Sequence, residues 1–109
     1  MICVTIYKNS EQEYTAFQCM GHAEYAEAGY DIVCAAVSAL VLNTINSIEK
    51  LVSDPFEIET EQESGFIDFS LKEGYSKDSL LLIRSLVLGL QGIQKNYGNN
   101  RITLKFKEV

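Results

Sequence analysis

The chain reads as an α+β domain: a mixed sheet built from two hairpins and a C-terminal strand, with two helices packed on it, in the order β-β-α-β-β-α-β. Three observations lead there. Five short segments alternate apolar and polar residues with a period of two. Two longer segments carry apolar residues at three- and four-residue steps. Short polar or Ser-Gly connections join the strands in pairs, as hairpins require. All 109 residues fit one domain, 1–109, without linker, internal repeat or low-complexity tract.

The elements follow in order. Residues 2–7 place Ile2, Val4 and Ile6 on one face and Cys3, Thr5 and Tyr7 on the other. After the polar stretch 9–12, residues 13–20 form a second strand, with Thr15, Phe17 and Cys19 opposite Tyr14, Ala16, Gln18 and Met20. Gly21 breaks it, and residues 23–30 have no periodicity, so a loop is expected with Gly21 and Gly29 as hinge points. Asp31 is suited to cap a helix, since its carboxylate can accept a backbone N–H two or three residues on. That helix should run to about Val52, with a core stripe of Val33, Val37, Leu40, Thr44, Ile48 and Leu51, and Pro55 closes the segment. Phe56, Ile58 and Thr60 then alternate with Glu57, Glu59 and Glu61, the pattern of a half-buried strand with an acidic outer face. Ser64-Gly65 turns the chain into residues 66–71, the other half of a second hairpin. A second helix is expected from Ser76 to Tyr97, ended by Gly98. Two apolar stripes lie on it, Leu80–Ile83–Val87–Leu90 and Leu82–Leu86–Ile93, and the surplus points to deep burial or a homodimer interface. Ile102, Leu104 and Phe106 make a last, short strand.

Composition narrows the function classes. Hydrophobic residues make up 47% of the chain, enough for one core. A net charge of −6 argues against direct nucleic-acid binding, which needs a basic face. It suits a basic protein partner, although mild acidity also serves solubility. No uninterrupted apolar run approaches the length needed to span a membrane, and the N-terminus enters an alternating strand without a basic leader, so neither membrane nor export is expected. Three cysteines without paired spacing fit a reducing, cytoplasmic setting.

The chemistry concentrates in residues 20–44. His22, the one histidine, follows Gly21, and Cys34 stands three residues after Asp31, near the expected helix start. Helix N-terminal placement and a neighbouring imidazole both favour the thiolate, and a nucleophile and base within hydrogen-bond reach make a catalytic dyad. Asp31 could orient the imidazole or only cap the helix; as an anion beside Cys34 it would oppose thiolate formation, and capping is the simpler role. Ser38, one turn on from Cys34, could hydrogen-bond near the thiol, although such serines mostly bond back to their own helix. The plainer alternative is that Cys34 is a small hydrophobe in an Ala-rich helix and His22 a loop residue. Cys3 and Cys19 read as packing residues. Zinc on Cys19, His22 and Cys34 lacks a fourth ligand, so no metal and no cofactor is expected.

The string from Gly21 to Leu40 decides between these. Gly21-His22-Ala23, then Gly29, Asp31-Ile32-Val33-Cys34-Ala35 and Ser38 resemble the signature of the ribosomal-processing cysteine proteases, the Prp family, with no departure at the key positions. Chain length and the order of elements are similar too. The resemblance implies a homodimeric cytoplasmic endopeptidase with Cys34 as nucleophile and His22 as general base. It implies a substrate as well: a large-subunit ribosomal protein whose N-terminal extension is cut off after an apolar, phenylalanine-containing segment, in support of ribosome maturation. The loop between histidine and cysteine would move as substrate binds, and Tyr25 or Tyr30 could line the groove. The competing reading is a non-catalytic ribosome-assembly or protein-binding module that acts through the acidic strand.

Overall fold

The structure, a computed structural model, describes residues 1–21, 30–98 and 101–109, with residues 30 and 31 described by their backbone alone. Its elements follow the expected order: β1 (Ile2–Lys8), β2 (Tyr14–Met20), α1 (Tyr30–Ser47), β3 (Phe56–Glu61), β4 (Phe66–Leu71), α2 (Lys77–Tyr97) and β5 (Ile102–Glu108). The strands form one sheet in the order β3-β4-β2-β1-β5. Both hairpins are antiparallel, β2 also pairs antiparallel with β4, and β5 runs parallel to β1, so the sheet is mixed as the alternation implied.

Register explains why one face takes the helices. Val4 stands opposite Cys19 and Cys19 opposite Ile67. In the next row Ile6 meets Phe17, Phe17 meets Phe69, and Phe69 meets Ile58. These rows project the apolar half of each alternation to one side. The Phe17 and Phe69 rings stack with centroids 4.9 Å apart, and Phe56 lies 4.9 Å from Phe69. Val33, Val37, Val41, Ile45 and Ile48 of the α1 segment join the same core, as do Ile83, Leu86, Leu90 and Ile93 of α2. By length and composition alone, Ile32–Val52 would suffice to cross a membrane, with a mean hydropathy of 1.6; here its apolar stripe packs into the core.

Four expectations need correction. Helix α1 begins at Tyr30, so Asp31 lies inside the first turn and not at the cap, and Cys34 opens the second turn. The buried stripe of α1 passes through Val41 rather than Leu40, which instead lies against α2: a Cβ on Gly89 would come within 2.8 Å of Leu40 Cδ1. The last turn, Ile48–Val52, is π-helical and closed by the Ser53 N–H on the Ile48 carbonyl at 2.8 Å. A π turn is wider than an α turn, and Leu51, expected on the stripe, is left 81% exposed. Strand β3 is less buried than its pattern suggests. It forms an edge of the sheet, and Ile58 and Thr60 are exposed although their register faces the helices. On α2 both apolar stripes contribute to the core, through Ile83, Val87 and Leu90 and through Leu86 and Ile93, as the deep-burial alternative expected, while Leu81, Leu88 and Tyr97 stay exposed.

The helix ends are tied down locally. Ser76 occupies the N-cap position of α2 without a side-chain cap bond of its own, and Gly98 ends the helix. The Asp54 carboxylate accepts the Ser76 N–H at 2.7 Å and the hydroxyls of Ser76 and Ser79 at 2.8 and 2.6 Å. It joins the end of the α1 segment to the start of α2, where an anion also meets the helix dipole favourably. These hydrogen bonds, that of Ser79 foremost, hold the Asp54 carboxyl below its ordinary value of 3.8. Asn9 and Tyr75 likewise lower Glu13. Because both carboxyls are lowered in the folded state, their contribution is complete at neutral pH and is lost as pH falls below the unfolded values of 3.8 and 4.5. Asp54→Ala should destabilise the fold by about 1–2 kcal/mol, since it strands the buried Ser79 hydroxyl. It should also flatten the acid limb of the stability profile. Denaturant titrations at pH 7 and pH 3 check both, and an equal loss at the two pH values would contradict the assignment.

Candidate active site

Strand β2 ends at Met20 and the chain turns at Gly21 with φ of +92°, a conformation that favours glycine. There is also no room for a side chain: a Cβ on Gly21 would stand 2.5 Å from the Met1 carbonyl oxygen. The Gly21 N–H donates to the Ser64 carbonyl at 3.2 Å, which ties the end of β2 to the β3–β4 turn. Three parts of the chain thus converge one residue before His22.

Between this junction and α1 runs an open cleft of about 450 Å³. One wall is α1, through Cys34, Val37, Ser38, Val41 and Leu42. The other is the β3–β4 hairpin, through Thr60, Glu61, Phe66 and Ile67, with Cys19 and Gly21 also lining the cleft. The exposure of Ile58 and Thr60 has the same origin, because nothing on α1 reaches far enough to cover the helix-side face of β3. Cys34 is half-buried and packs against the core while lining this opening. Ser38 lies one turn further along on the exposed side. A second depression, of about 470 Å³ beside Tyr14, Leu81 and Arg84, contains no thiol.

The three thiols are all free, and their settings differ. Cys19 is 6% exposed, and burial, with smaller contributions from Cys34 and Cys3, pushes its pKa up to about 11. It is therefore held as the neutral thiol, a packing group as expected. Cys34 reaches the open cleft.

Of the residues singled out in the sequence, Cys34, Ser38 and Gly21 line one cleft. Asp31 is placed by its backbone, in the first turn of α1. His22, Gly29 and Tyr25 lie outside the described residues, and so does the side chain of Tyr30. Among the described residues, no group of three or more His, Cys, Asp or Glu side chains is arranged to hold a metal ion. The sequence reading missed the far wall. Phe66 and Ile67 lie more than thirty residues from Cys34 in the chain and reach the site only through strand order. Leu42 carried a usable signal: it follows Cys34 by two four-residue helical steps.

Comparison with known proteins agrees with this layout. The family model described as "Cysteine protease Prp" matches residues 1–102. The ribosomal processing cysteine protease Prp of Staphylococcus aureus (strain Mu50) is 32% identical over 107 residues, covering 98% of this chain and 100% of the relative. That of Bacillus subtilis (strain 168) is 30% identical over 108 residues, covering 94% and 96%. The crystal structure of the S. aureus enzyme with a substrate peptide superposes with a TM-score of 0.90 at 31% identity, over 98% of this chain and 100% of the other. The same enzyme with a covalently linked product peptide gives 0.87 at 32% identity, with the same coverage. The chain described here belongs to the Prp family of cysteine proteases.

Proposed function

We propose that this protease removes the N-terminal extension of a large-subunit ribosomal protein in the cytoplasm, in support of ribosome maturation, with Cys34 as nucleophile and His22 as general base. The observation that carries the reading is the placement of Cys34: a half-buried thiol opening onto a largely apolar cleft of about 450 Å³. Gly21, the residue before His22, lines the same cleft, which brings the base's attachment point to the nucleophile's side of the molecule. His22 takes the Cys34 proton, and the thiolate attacks the scissile carbonyl. N–H groups of the first turn of α1, which have no acceptor within the helix itself, stabilise the oxyanion. His22 returns the proton to the leaving amine, and water then releases the acyl-enzyme. The relatives named for ribosomal processing, and their complexes with substrate and product peptides, support the substrate class. So does charge: the chain carries −6 overall, and β3 presents Glu57, Glu59 and Glu61 at the exposed edge to a basic partner. No direct contact with nucleic acid is part of this reading. The test is to incubate the protein with a ribosomal protein bearing its N-terminal extension and to read the product masses. Cleavage at one bond is expected; an intact substrate after exposure to folded, reduced enzyme would refute the assignment.

We propose a homodimer as well, supported by α2. Leu81 and Leu88, seven residues apart on one helix face, are 58% and 72% exposed, and Tyr14, Arg84 and Gln91 flank them. Sedimentation velocity should give twice the monomer mass for the wild type and the monomer mass for Leu88→Glu. A wild-type monomer at tens of micromolar would rule the dimer out.

A further inference from the structure

Both helices pack on one face of the sheet, where Ile2 and Val4 point, and the alternation of β1 turns Cys3 to the opposite face. One corner of that face gathers three sulfurs. Cys3 stands directly opposite Met20 on β2 and directly opposite Thr103 on β5. Adjacent strands lie about 4.8 Å apart, so Met20 and Thr103 flank Cys3 on its two sides. Met1 precedes Cys3 by two residues and shares its face. The Thr103 hydroxyl donates to the Met1 Sδ at 3.1 Å, which draws that sulfur along the strand to the level of Cys3. The chain has two methionines, and both stand in this corner. Core packing does not account for them: Met1 is 60% and Met20 47% exposed, on the side of the sheet away from the helices. Cys3 between them is a half-buried free thiol.

We propose that Cys3, Met1 and Met20 form a binding site for a soft monovalent metal ion, Cu(I). The donor set decides the class of ion. A thiolate and two thioethers are soft ligands that select Cu(I), whereas magnesium, calcium and manganese call for oxygen ligands and zinc sites are built from thiolates, imidazoles and carboxylates without thioethers. One thiolate balances one positive charge. Methionine is unbranched with three rotatable bonds, so both thioethers can swing onto an ion held at the Cys3 sulfur. On binding, a bond forms between the Cys3 sulfur and Cu(I), the thiol proton leaves to solvent, and the copper keeps its oxidation state. Nothing in the sequence order shows this grouping, because Cys3 read as a packing residue and no metal was expected; strand register brings β1, β2 and β5 together there.

The experiment is an anaerobic titration of the full-length Cys34→Ala protein, carrying ¹³C-methyl methionine, with Cu(I) held by a chromophoric chelator as competitor. Removing Cys34 takes away the other accessible thiol, and Cys19 is buried. One Cu(I) per chain should be taken from the chelator, and the two methionine methyl signals should shift together and stop at one equivalent. Cys3→Ser in the same background should abolish the uptake. Met20→Leu, an exposed and conservative change expected to fold, should weaken it while the Met1 signal still shifts. Loss of an outer-shell partner already costs roughly tenfold or more in metal affinity, and loss of a ligand should cost at least as much. Uptake with neither methionine signal shifting would mean a bare thiol adduct and overturn the site. Unchanged uptake by Cys3→Ser, or no uptake at all, would overturn it equally. Peptide cleavage is not a readout, so the result is independent of the protease reading.

Discussion

Replacing Cys34 by alanine should abolish cleavage of the extended ribosomal protein while leaving the fold intact. A nucleophile that works as a unit with its base accounts for most of the chemical acceleration, so the expected loss in kcat is roughly four orders of magnitude or more. The structural effect should be small. Cys34 is half-buried at the edge of the core, and losing one sulfur at a partly open site costs about 1 kcal/mol or less. The two effects separate cleanly: thermal unfolding close to that of wild type, with no product by mass spectrometry. Alkylation gives an independent check. Cys19, with its thiol raised to about 11 by burial, should stay unmodified in the folded protein at pH 7, while Cys34 labels and activity disappears in step. Cleavage by Cys34→Ala at more than a few per cent of the wild-type rate would mean that another group attacks the peptide bond.

Gly21→Ala should damage both stability and activity. Two costs add at this position. The φ of +92° is one that L side chains rarely adopt, and the new Cβ would stand 2.5 Å from the Met1 carbonyl oxygen, which is backbone and cannot swing aside. Together they amount to about 2–4 kcal/mol, a large share of the 5–15 kcal/mol typical of a whole domain. The melting temperature should fall by roughly 10 °C or more. Whatever relief the backbone finds must also shift His22, one residue on. A misplacement of about 1 Å in a catalytic group can cost around a hundredfold in rate, so the folded fraction should be slow as well as scarce. Assays at low temperature, normalised to folded protein by circular dichroism, separate the two losses. An unchanged melting temperature would show that the junction of β2 with Met1 is looser than its geometry indicates.

The periodicities carried most of the architecture. Alternation at Ile2–Val4–Ile6 and at Phe17–Cys19 identifies the inner face of the sheet, and those residues are buried in the structure. Gly98 marked the end of α2 correctly because a positive φ is needed there, and it has a φ of +90°. What could not be read depends on neighbours distant in the chain. The pattern of β3 is that of a half-covered strand, but whether a helix lies over Ile58 and Thr60 depends on where α1 crosses, and α1 leaves them open. Leu51 fits an α-helical stripe and is turned away by one π turn. Asp31 has the chemistry of a cap, and the helix starts one residue before it. The family was legible because the residues around Cys34 form a long continuous motif. The cleft wall was not, because Phe66 and Ile67 meet Cys34 only after four strands have found their order.

That order has a consequence for when the enzyme can exist. β1 is an interior strand of the sheet, and one of its two neighbours is β5, with Ile2 opposite Ile102 and each later pair likewise a hundred residues apart. Closing so long a loop is among the slower steps open to a chain of this size. Met1, against which Gly21 packs, leads directly into that strand, and the Ile2 N–H donates to the Arg101 carbonyl at 3.1 Å. The junction before His22 is therefore braced by a strand synthesised long after Cys34. A growing chain on the ribosome, with Cys34 already made and β5 still inside the exit tunnel, lacks that brace. On this geometry the site is complete only once β5 has paired with β1 and closed the sheet.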